Sequence, residues 1–442
     1  FGSEFNKDRK LLAFTDSVQD ASHRAGFFGA RTYRFNLRVA IQSAIDASKT
    51  PLTLEVAAEH MLRHWERDPR HGTADLVAAL SPPDLRELRN YRSFIQKPGR
   101  QIPPGLRDDL ITRLSWEITS EFGLYAGIGR SLEQSACASV MLPEDPLASA
   151  TATMQADLAE NSPVYLITPP ELDACRHFLE GFLERLRSRG AIFNGILKNY
   201  IDANGARFML SRQKNPLFPP TGPRSRLPKF ATLQRTHKTF ESLFSEASRD
   251  TWYRDWASRT LGCDARDTGI NELYKRVVLR ACQSGLLDSV RGSKGAEVYG
   301  LDPKALTITT SVRQVSCASC GQHALLPEAM AGRWEGKPCT RFRCDGSFAL
   351  DAARPEDYYA RLYRSDNLER IFTAEHTGLL ERQEREELEA HFQNGDTPEA
   401  PNLVVCTPTL EMGIDIGDLS AVMLCSVPRT VASYQQRVGR AG

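Results

Sequence analysis

The chain has 442 residues, 41% hydrophobic and 25% charged, which is typical of soluble globular proteins with about two to four domains. A formal net charge of +1 excludes a uniformly basic surface, so any nucleic-acid contact must come from local clusters of charge. No apolar run approaches the roughly 18 residues that a membrane-spanning helix needs, and no secretory signal is visible, so we expect a cytoplasmic protein without a membrane partner.

The chain opens with a short strand followed by a long helix. Residues 1–5 resemble a cloning scar and are left out of the prediction. Residues 10–14 are an apolar run, and the polar turn that follows, beginning at Thr15, suits a helix cap. Helical spacing then continues to about Ala47. This strand–turn–helix unit predicts the start of an α/β domain over residues 6–50.

Residues 51–245 predict a mostly helical region broken by proline and glycine. Within it, residues 203–240 carry eight basic side chains, no acidic one and four interleaved phenylalanines. Single-strand binding uses this combination of phosphate neutralisation and base stacking. The alternative is a basic loop paired with acidic neighbours, its phenylalanines simply buried. The candidate nucleic-acid contacts are Arg212, Lys214, Arg224 and Arg226.

Residues 246–305 predict a winged-helix-like module. An apolar stripe at helical spacing runs through residues 272–282, and Gly285 suits the position after the helix C-cap. Two short apolar segments at 286–290 and 297–301 follow as a two-stranded wing. Such modules bind nucleic-acid duplexes or pack against proteins, and both readings stay open.

Residues 306–350 contain four clustered cysteines. Two residues separate Cys317 from Cys320, and four separate Cys339 from Cys344. Two short-spaced pairs about 15–20 residues apart are typical of structural Zn²⁺ sites, in which four thiolates fill a tetrahedron. The wider second pair departs from the usual spacing, and four unrelated free cysteines are the alternative. The other six cysteines are expected to be reduced and buried.

Residues 355–442 return to an alternating strand–helix order that predicts a parallel sheet. A turn that presents Thr407 and Thr409 follows one of the strands, at the edge where parallel α/β proteins bind ligands. Strands are expected at residues 370–376, 403–406 and 421–425, and a charged helix is expected at residues 381–392.

Short motifs carry a family resemblance. Residues 407–417 read TPTLEMGIDIG and residues 434–442 read YQQRVGRAG, which is similar to motifs V and VI of superfamily 2 helicases. The strand–turn–helix unit at the start of the chain resembles motif IV, which opens the second RecA-like motor domain. Residues 12–26, 116–123 and 222–228 resemble large bacterial DEAD/DEAH-type helicases, many of which belong to phage-defence systems.

The resemblance implies an α/β fold in which a RecA-like parallel-sheet domain is split by a mostly helical insertion with winged-helix-like and zinc-binding modules. Residues 6–50 and 355–442 would form the two parts of the sheet domain, the latter truncated in motif VI. No phosphate-binding loop or Mg²⁺-binding box is found in the sequence. ATP and Mg²⁺ are therefore expected to bind only with a missing N-terminal motor domain, and DNA-stimulated ATP hydrolysis by this chain alone would contradict that expectation.

The resemblance also implies roles for single residues. Arg440 matches an arginine finger, which stabilises charge on the γ-phosphate during hydrolysis. Gln436 and Arg437 lie in the same motif and are expected to be catalytic with Arg440. Gly413 and Asp415 are expected to bind the nucleotide. The residues expected near the nucleic-acid backbone are Thr15, Thr407 and Arg385.

The sequence thus favours part of an ATP-dependent helicase or translocase that acts on nucleic acid, with DNA favoured over RNA. Its expected partners are nucleic acid, the first motor domain and other defence-system proteins, and its expected metal is a structural Zn²⁺. The alternative is a non-catalytic module of a larger defence or repair complex that binds nucleic acid or protein.

Overall fold

The computed structural model describes residues 10–161, 169–293, 297–352, 356–395, 397–410 and 419–440. These residues form two compact units. Unit 1 comprises the described residues of Phe1–Val39, Trp65–Arg107 and Asn367–Gly442, and unit 2 those of Ala40–His64 and Asp108–Asp366.

The described residues alternate helices with short strands. The helices are α1 Val18–Asp46, α2 Ala57–Glu66, α3 Thr73–Leu80, α4 Arg89–Gln96, α5 Pro104–Glu121, α6 Glu144–Glu160, α7 Leu172–Ser188, α8 Lys198–Asp202, α9 Trp252–Leu261, α10 Ile270–Gln283, α11 Glu328–Trp334, α12 Tyr358–Tyr363, α13 Arg382–Asn394 and α14 Val431–Val438. The strands are β1 Leu11–Phe14, β2 Leu52–Thr53, β3 Ser139–Met141, β4 Ala231–Thr232, β5 Glu241–Ser242, β6 Leu287–Arg291, β7 Glu297–Leu301, β8 Thr307–Thr309, β9 Val312–Cys317, β10 His323–Pro327, β11 Phe348–Leu350, β12 Thr373–His376, β13 Leu403–Cys406 and β14 Ala421–Leu424.

Unit 1 is built on a parallel sheet with the strand order β12–β13–β1–β14. The first strand of the chain lies between two strands from its other end, since Leu12 is opposite Val404 on one side and Val422 on the other. Because all the pairings are parallel, the carboxyl ends of the four strands lie along one edge. The prediction of an α/β domain with a parallel sheet is confirmed.

The side chains of this sheet alternate between two covered faces. On one face Leu11 and Ala13 pack with Ala21 of α1. On the other face Leu12 packs with Phe392 of α13. A parallel sheet covered on both faces needs apolar residues at consecutive positions, which explains why β1 and β13 read as unbroken apolar runs.

Unit 1 is larger than the sequence suggested. Residues Trp65–Arg107, which the sequence prediction placed in the insertion, cluster with the sheet. The buried Arg370 guanidinium donates to the carbonyls of Ala78, at 2.5 Å, and Ser81. The Tyr91 hydroxyl donates to the Glu399 carboxylate at 2.6 Å. Contacts between residues so far apart in the chain leave no local pattern in the sequence.

Unit 2 contains three small sheets, with strand orders β2–β8–β3, β5–β4–β7–β6 and β10–β9–β11. Its helices enclose an aromatic core in which Trp252 and Trp256 stack with ring centroids 5.4 Å apart. Both tryptophans of α9 are therefore core residues.

The helix and hairpin predicted near residues 269–303 are present as α10 and the antiparallel pair β6–β7. Gly285 follows the helix with φ +79°, a left-handed conformation that glycine adopts without strain. The hairpin is not an isolated wing, however, because β7 also pairs with β4 at Ala231 and so belongs to a four-stranded sheet.

Among the helices that the structure describes, none has both the length and the apolar character needed to cross a membrane.

Candidate nucleic-acid interface and metal centre

The carboxyl edge of the unit 1 sheet carries a row of hydroxyl side chains. Thr15, Thr377 and Thr407 each follow the last residue of a strand and are buried. They continue the strand register, since the Thr15 N–H donates to the Cys406 carbonyl at 2.9 Å and the Thr407 N–H donates to the His376 carbonyl at 3.2 Å. Hydroxyls and main-chain N–H groups at such an edge suit phosphate oxygens.

A buried histidine fixes the turn that follows β13. His376 is 1% exposed, and its Nδ1 lies 3.1 Å from the Thr409 hydroxyl while its Nε2 lies 2.7 Å from the Glu389 carboxylate of α13. The Thr409 hydroxyl is also 3.3 Å from that of Thr407. One imidazole therefore links α13 to the hydroxyls of the sheet edge. We call Thr15, Thr377, Thr407 and Thr409 the threonine row.

Sequence reasoning selected Thr15 and Thr407 but missed Thr377 and Glu389. Thr377 could have been found, because it follows β12 as Thr407 follows β13, and register then places both at one edge. Glu389 gave no signal, since a glutamate in a charged helix is usually a solvated residue.

The motif VI helix α14 is anchored through Arg437. This side chain is 2% exposed, its guanidinium donates to the Asp16 carboxylate at 2.9 Å, and it lies 5.4 Å from the centroid of the Phe14 ring. Gln436 is exposed and Arg440 is half-buried. The structure thus ties α14 to the turn after β1, while the catalytic roles of these three motif VI residues stay predictions.

Two of the predicted nucleotide-binding residues, Gly413 and Asp415, lie outside the described residues, and their role stays a prediction. Arg385 lies on α13, and its buried Nε has no hydrogen-bond partner within the described part of the chain. A guanidinium N–H in that state keeps the capacity to donate to an anion.

The basic segment, residues 203–240, exposes its cations and buries most of its rings. Phe208 is 55% exposed, with the Lys214 ammonium 5.7 Å from its ring centroid. The other three rings are core residues, as the alternative reading expected: Phe218, Phe230 and Phe240. The four candidate contacts are all exposed: Arg212, Lys214, Arg224 and Arg226.

The four clustered cysteines come together in the cysteine module, which we define as residues 312–350. Their sulfur atoms all lie within 4.8 Å of one another, with 3.8 Å between Cys317 and Cys344 and 3.7 Å between Cys320 and Cys339. Thiolates bound about 2.3 Å from a tetrahedral Zn²⁺ lie roughly 3.8 Å apart. The cluster could therefore hold a metal ion, and it is not a set of unrelated thiols.

The backbone around this cluster is closely fitted. A Cβ at Gly346 would lie 2.5 Å from the Cys317 sulfur, so only glycine leaves room for that thiol. The Arg259 guanidinium of α9 donates to the carbonyls of Cys339 and Cys344, at 2.5 and 2.9 Å. The backbone of the second pair is thus held by α9 as well as by any metal.

The sequence predicted that the six cysteines outside the cluster are reduced and buried. All six are free thiols; some of them are buried and the others are half-buried. Burial raises the pKa of Cys137 to about 11 and that of Cys175 to about 12. Burial likewise raises the pKa of Cys263 and of Cys282 to about 11. Thiols of this kind are protonated at neutral pH and poor nucleophiles.

Parts of the chain are similar to three much longer proteins, two of which are named as helicases. Druantia protein DruE of Escherichia coli (strain UMEA 4076-1) is 30% identical in an alignment 196 residues long, which covers 39% of this chain and 10% of that protein. The Lhr helicase/uracil glycosylase of Escherichia coli (strain K12) is 31% identical over 118 residues, 26% of this chain and 7% of that protein. The ATP-dependent helicase HRQ1 of Saccharomyces cerevisiae is 51% identical over 39 residues, 9% of this chain and 4% of that protein.

The chain therefore spans at most 10% of the length of these relatives. No solved structure is significantly similar to it. Residues 355–442 match the family model of the helicase conserved C-terminal domain. Together with the parallel sheet and the similarity to helicases, this match shows that the chain contains a RecA-like C-terminal domain of the superfamily 2 helicases.

Proposed function

We propose that this chain forms the arginine-finger half of an ATP-dependent helicase or translocase motor and part of the track along which nucleic acid moves. The observation that carries the proposal is the threonine row, which lies at the ligand-binding edge of a helicase-type sheet. Hydroxyl donors at this edge would hold phosphates of one strand without reading its sequence.

The proposed contact with the nucleotide depends on the position of helix α14. The ion pair between Arg437 and Asp16 fixes the helix to the sheet, which would hold Arg440 in a set position. In the complete motor a first RecA-like domain would supply the phosphate-binding loop and the Mg²⁺ ligands, and Arg440 would stabilise charge on the γ-phosphate. Gly413 and Asp415 would complete the nucleotide contacts.

The basic segment would add a second, sequence-independent contact in unit 2. Its exposed cations suit a polyanion, and we favour DNA as the nucleic acid. The cysteine module would bind one structural Zn²⁺, because four thiolates leave no open position for a water or substrate ligand. A role in phage defence stays a prediction.

The test is the affinity of the chain for fluorescent single-stranded DNA, measured by anisotropy over a range of salt concentrations. We expect log K to fall with log salt by about 0.7 for each neutralised phosphate. Replacing both Arg224 and Arg226 by Gln should make this slope roughly 1 to 2 units shallower. Absence of binding at low salt would contradict the proposal and favour the non-catalytic, protein-binding alternative.

The threonine row is tested by Thr407→Val and Thr409→Val, which remove hydroxyls but keep side-chain shape. Each lost hydrogen bond to a phosphate should weaken binding about 2- to 10-fold. Thr373→Val is the matched control, because Thr373 begins β12 and therefore lies at the opposite edge of the same sheet. Equal effects of all three changes would contradict a site at the carboxyl edge.

A further inference from the structure

A half-enclosed cavity in unit 2 adjoins the second cysteine pair. Its volume is about 330 Å³, near the lower end of the roughly 300–1,000 Å³ typical of small-ligand sites. Its walls come from α7, the loop before β3, β10 and the segment between Cys339 and Cys344. A cavity of this size suits one small ligand and not a helix or a nucleic-acid duplex.

The rim of the cavity presents an aromatic ring between two arginines. Phe342 is 39% exposed, although a ring of this size is usually covered in a folded protein. Arg341 and Arg343 on either side are exposed, and the Arg343 guanidinium lies 5.0 Å from the Phe342 ring centroid. An exposed ring with adjacent cations is the combination that stacks a base and holds its phosphate.

This rim is rigidly held by α9. The Trp252 indole N–H donates to the Thr340 carbonyl at 2.7 Å, and the Arg259 guanidinium donates to the Arg341 carbonyl at 3.0 Å. The Arg343 N–H donates to the Asp255 carboxylate at 3.1 Å. Because these bonds fix the backbone on both sides of Phe342, the ring can be offered to a ligand with little loss of conformational entropy.

The floor of the cavity is polar but its charges are already paired. The buried Arg187 guanidinium lies 2.8 Å from the Glu133 carboxylate and 2.5 Å from that of Glu184. A phosphate placed here would meet two carboxylates, which excludes an anion from the floor. A neutral group with hydrogen-bonding edges fits better, since the amides of Gln134 and Gln322 also line the cavity.

We propose that this cavity binds one unstacked base of a single-stranded nucleic acid, with the base against Phe342 and its phosphate near Arg341. The proposal rests on the nucleic-acid role proposed above and adds a contact that neither the threonine row nor the basic segment provides. The base enters because it is neutral and planar. The phosphate stays at the rim because the exposed Arg341 guanidinium lies there, whereas the Arg343 guanidinium forms an ion pair with Asp250.

The probe is an oligothymidylate that carries one 2-aminopurine, whose fluorescence is quenched when it stacks on a ring. Metal-loaded wild-type chain should quench it, and Phe342→Ala should abolish the quenching and weaken binding about 5- to 150-fold. Phe342→Tyr should restore both. The matched control is Phe27→Ala, because Phe27 is also an exposed ring, with the Arg31 guanidinium 5.2 Å from its centroid.

The anisotropy of the same oligonucleotide separates the possible failures. Binding that persists in Phe342→Ala with unchanged quenching would overturn the base-binding cavity and leave the proposed function standing. Absence of binding by the wild-type chain would overturn both. Quenching that Phe27→Ala reduces as strongly as Phe342→Ala does would also overturn the cavity, since the signal would then not come from this rim.

Discussion

Arg437 combines two properties that rarely occur together, a full positive charge and almost complete burial on a helix that is otherwise exposed. The cost of removing the guanidinium from water is offset by its bond to Asp16 and its contact with the Phe14 ring. These partners come from the first strand and its turn. A single ion pair therefore joins the two sequence motifs that lie farthest apart in the chain.

We predict that Arg437→Gln lowers the free energy of unfolding by about 1–3 kcal/mol, the cost of a lost hydrogen bond to a charged group. Arg429→Gln is the control, because Arg429 is exposed, and it should change stability by less than about 0.5 kcal/mol. Urea denaturation measures both. A double-mutant cycle with Asp16→Asn should show a coupling energy of about 0.5–3 kcal/mol, and strictly additive effects would contradict the pairing.

The buried thiols give a prediction about pH. Burial raises the pKa of Cys137 to about 11, so at about pH 8 its thiolate fraction is roughly 100-fold lower than for an exposed thiol with the ordinary value of 9.0. Alkylation of Cys137 and Cys263 by iodoacetamide should therefore be slow in the folded chain and should accelerate as pH rises towards 11. Peptide mass spectrometry with and without urea measures it. Equal rates in folded and unfolded chain would contradict the burial.

For single residues, the sequence predicted which side chains lie at the site better than it predicted which side chains they contact. Thr15 and Thr407 could be selected because each directly follows an apolar strand. The link from His376 to Glu389 and the pairing of Arg437 with Asp16 could not, because each depends on a distance set by the tertiary fold.

At the level of elements, the cysteine module brings four candidate metal ligands together in a short segment with a small core. Its core contains Trp334 and Phe348 together with the cysteines themselves. Because three of the four cysteine side chains are buried, a bound metal would fill the centre of the module and contribute directly to its folding.

We predict that Gly346→Ala abolishes metal binding, because the added Cβ would lie 2.5 Å from the Cys317 sulfur. Gly332→Ala is the matched control, since its Cβ would meet nothing within 4 Å and alanine favours the helix α11 in which it lies. Metal analysis should find about one Zn per wild-type and Gly332→Ala chain and clearly less in Gly346→Ala. Full occupancy in Gly346→Ala would contradict the proposed site.

Elements with strong local periodicity were predicted well. The expected strand at residues 403–406 is β13 within the same bounds, and the expected helix at 381–392 is α13, shifted by one or two residues. The hairpin β6–β7 was also expected, but its membership of a four-stranded sheet was not. β4 and β5 are two residues each, too short for any alternating pattern to show in the sequence.

At the scale of the whole molecule, the sheet of unit 1 is assembled from segments separated by more than 300 residues. β1 pairs with β13 and β14, and the register aligns the ends of all the strands at one edge. The family resemblance predicted this closure, whereas composition and periodicity did not. The sequence did not predict that Trp65–Arg107 belongs to unit 1. Neither the family resemblance nor the periodicity indicates which helices of the insertion contact the sheet.

We propose that nucleic acid binds along the carboxyl edge of the unit 1 sheet. Hydrogen–deuterium exchange of the chain with and without single-stranded DNA tests it most directly. We expect slower exchange on DNA binding at the backbone amides of Thr15, Thr377, Thr407, Thr409 and Leu410, with no change at the amino ends of the same strands. Protection confined to other parts of the chain, with these amides unchanged under saturating DNA, would contradict it.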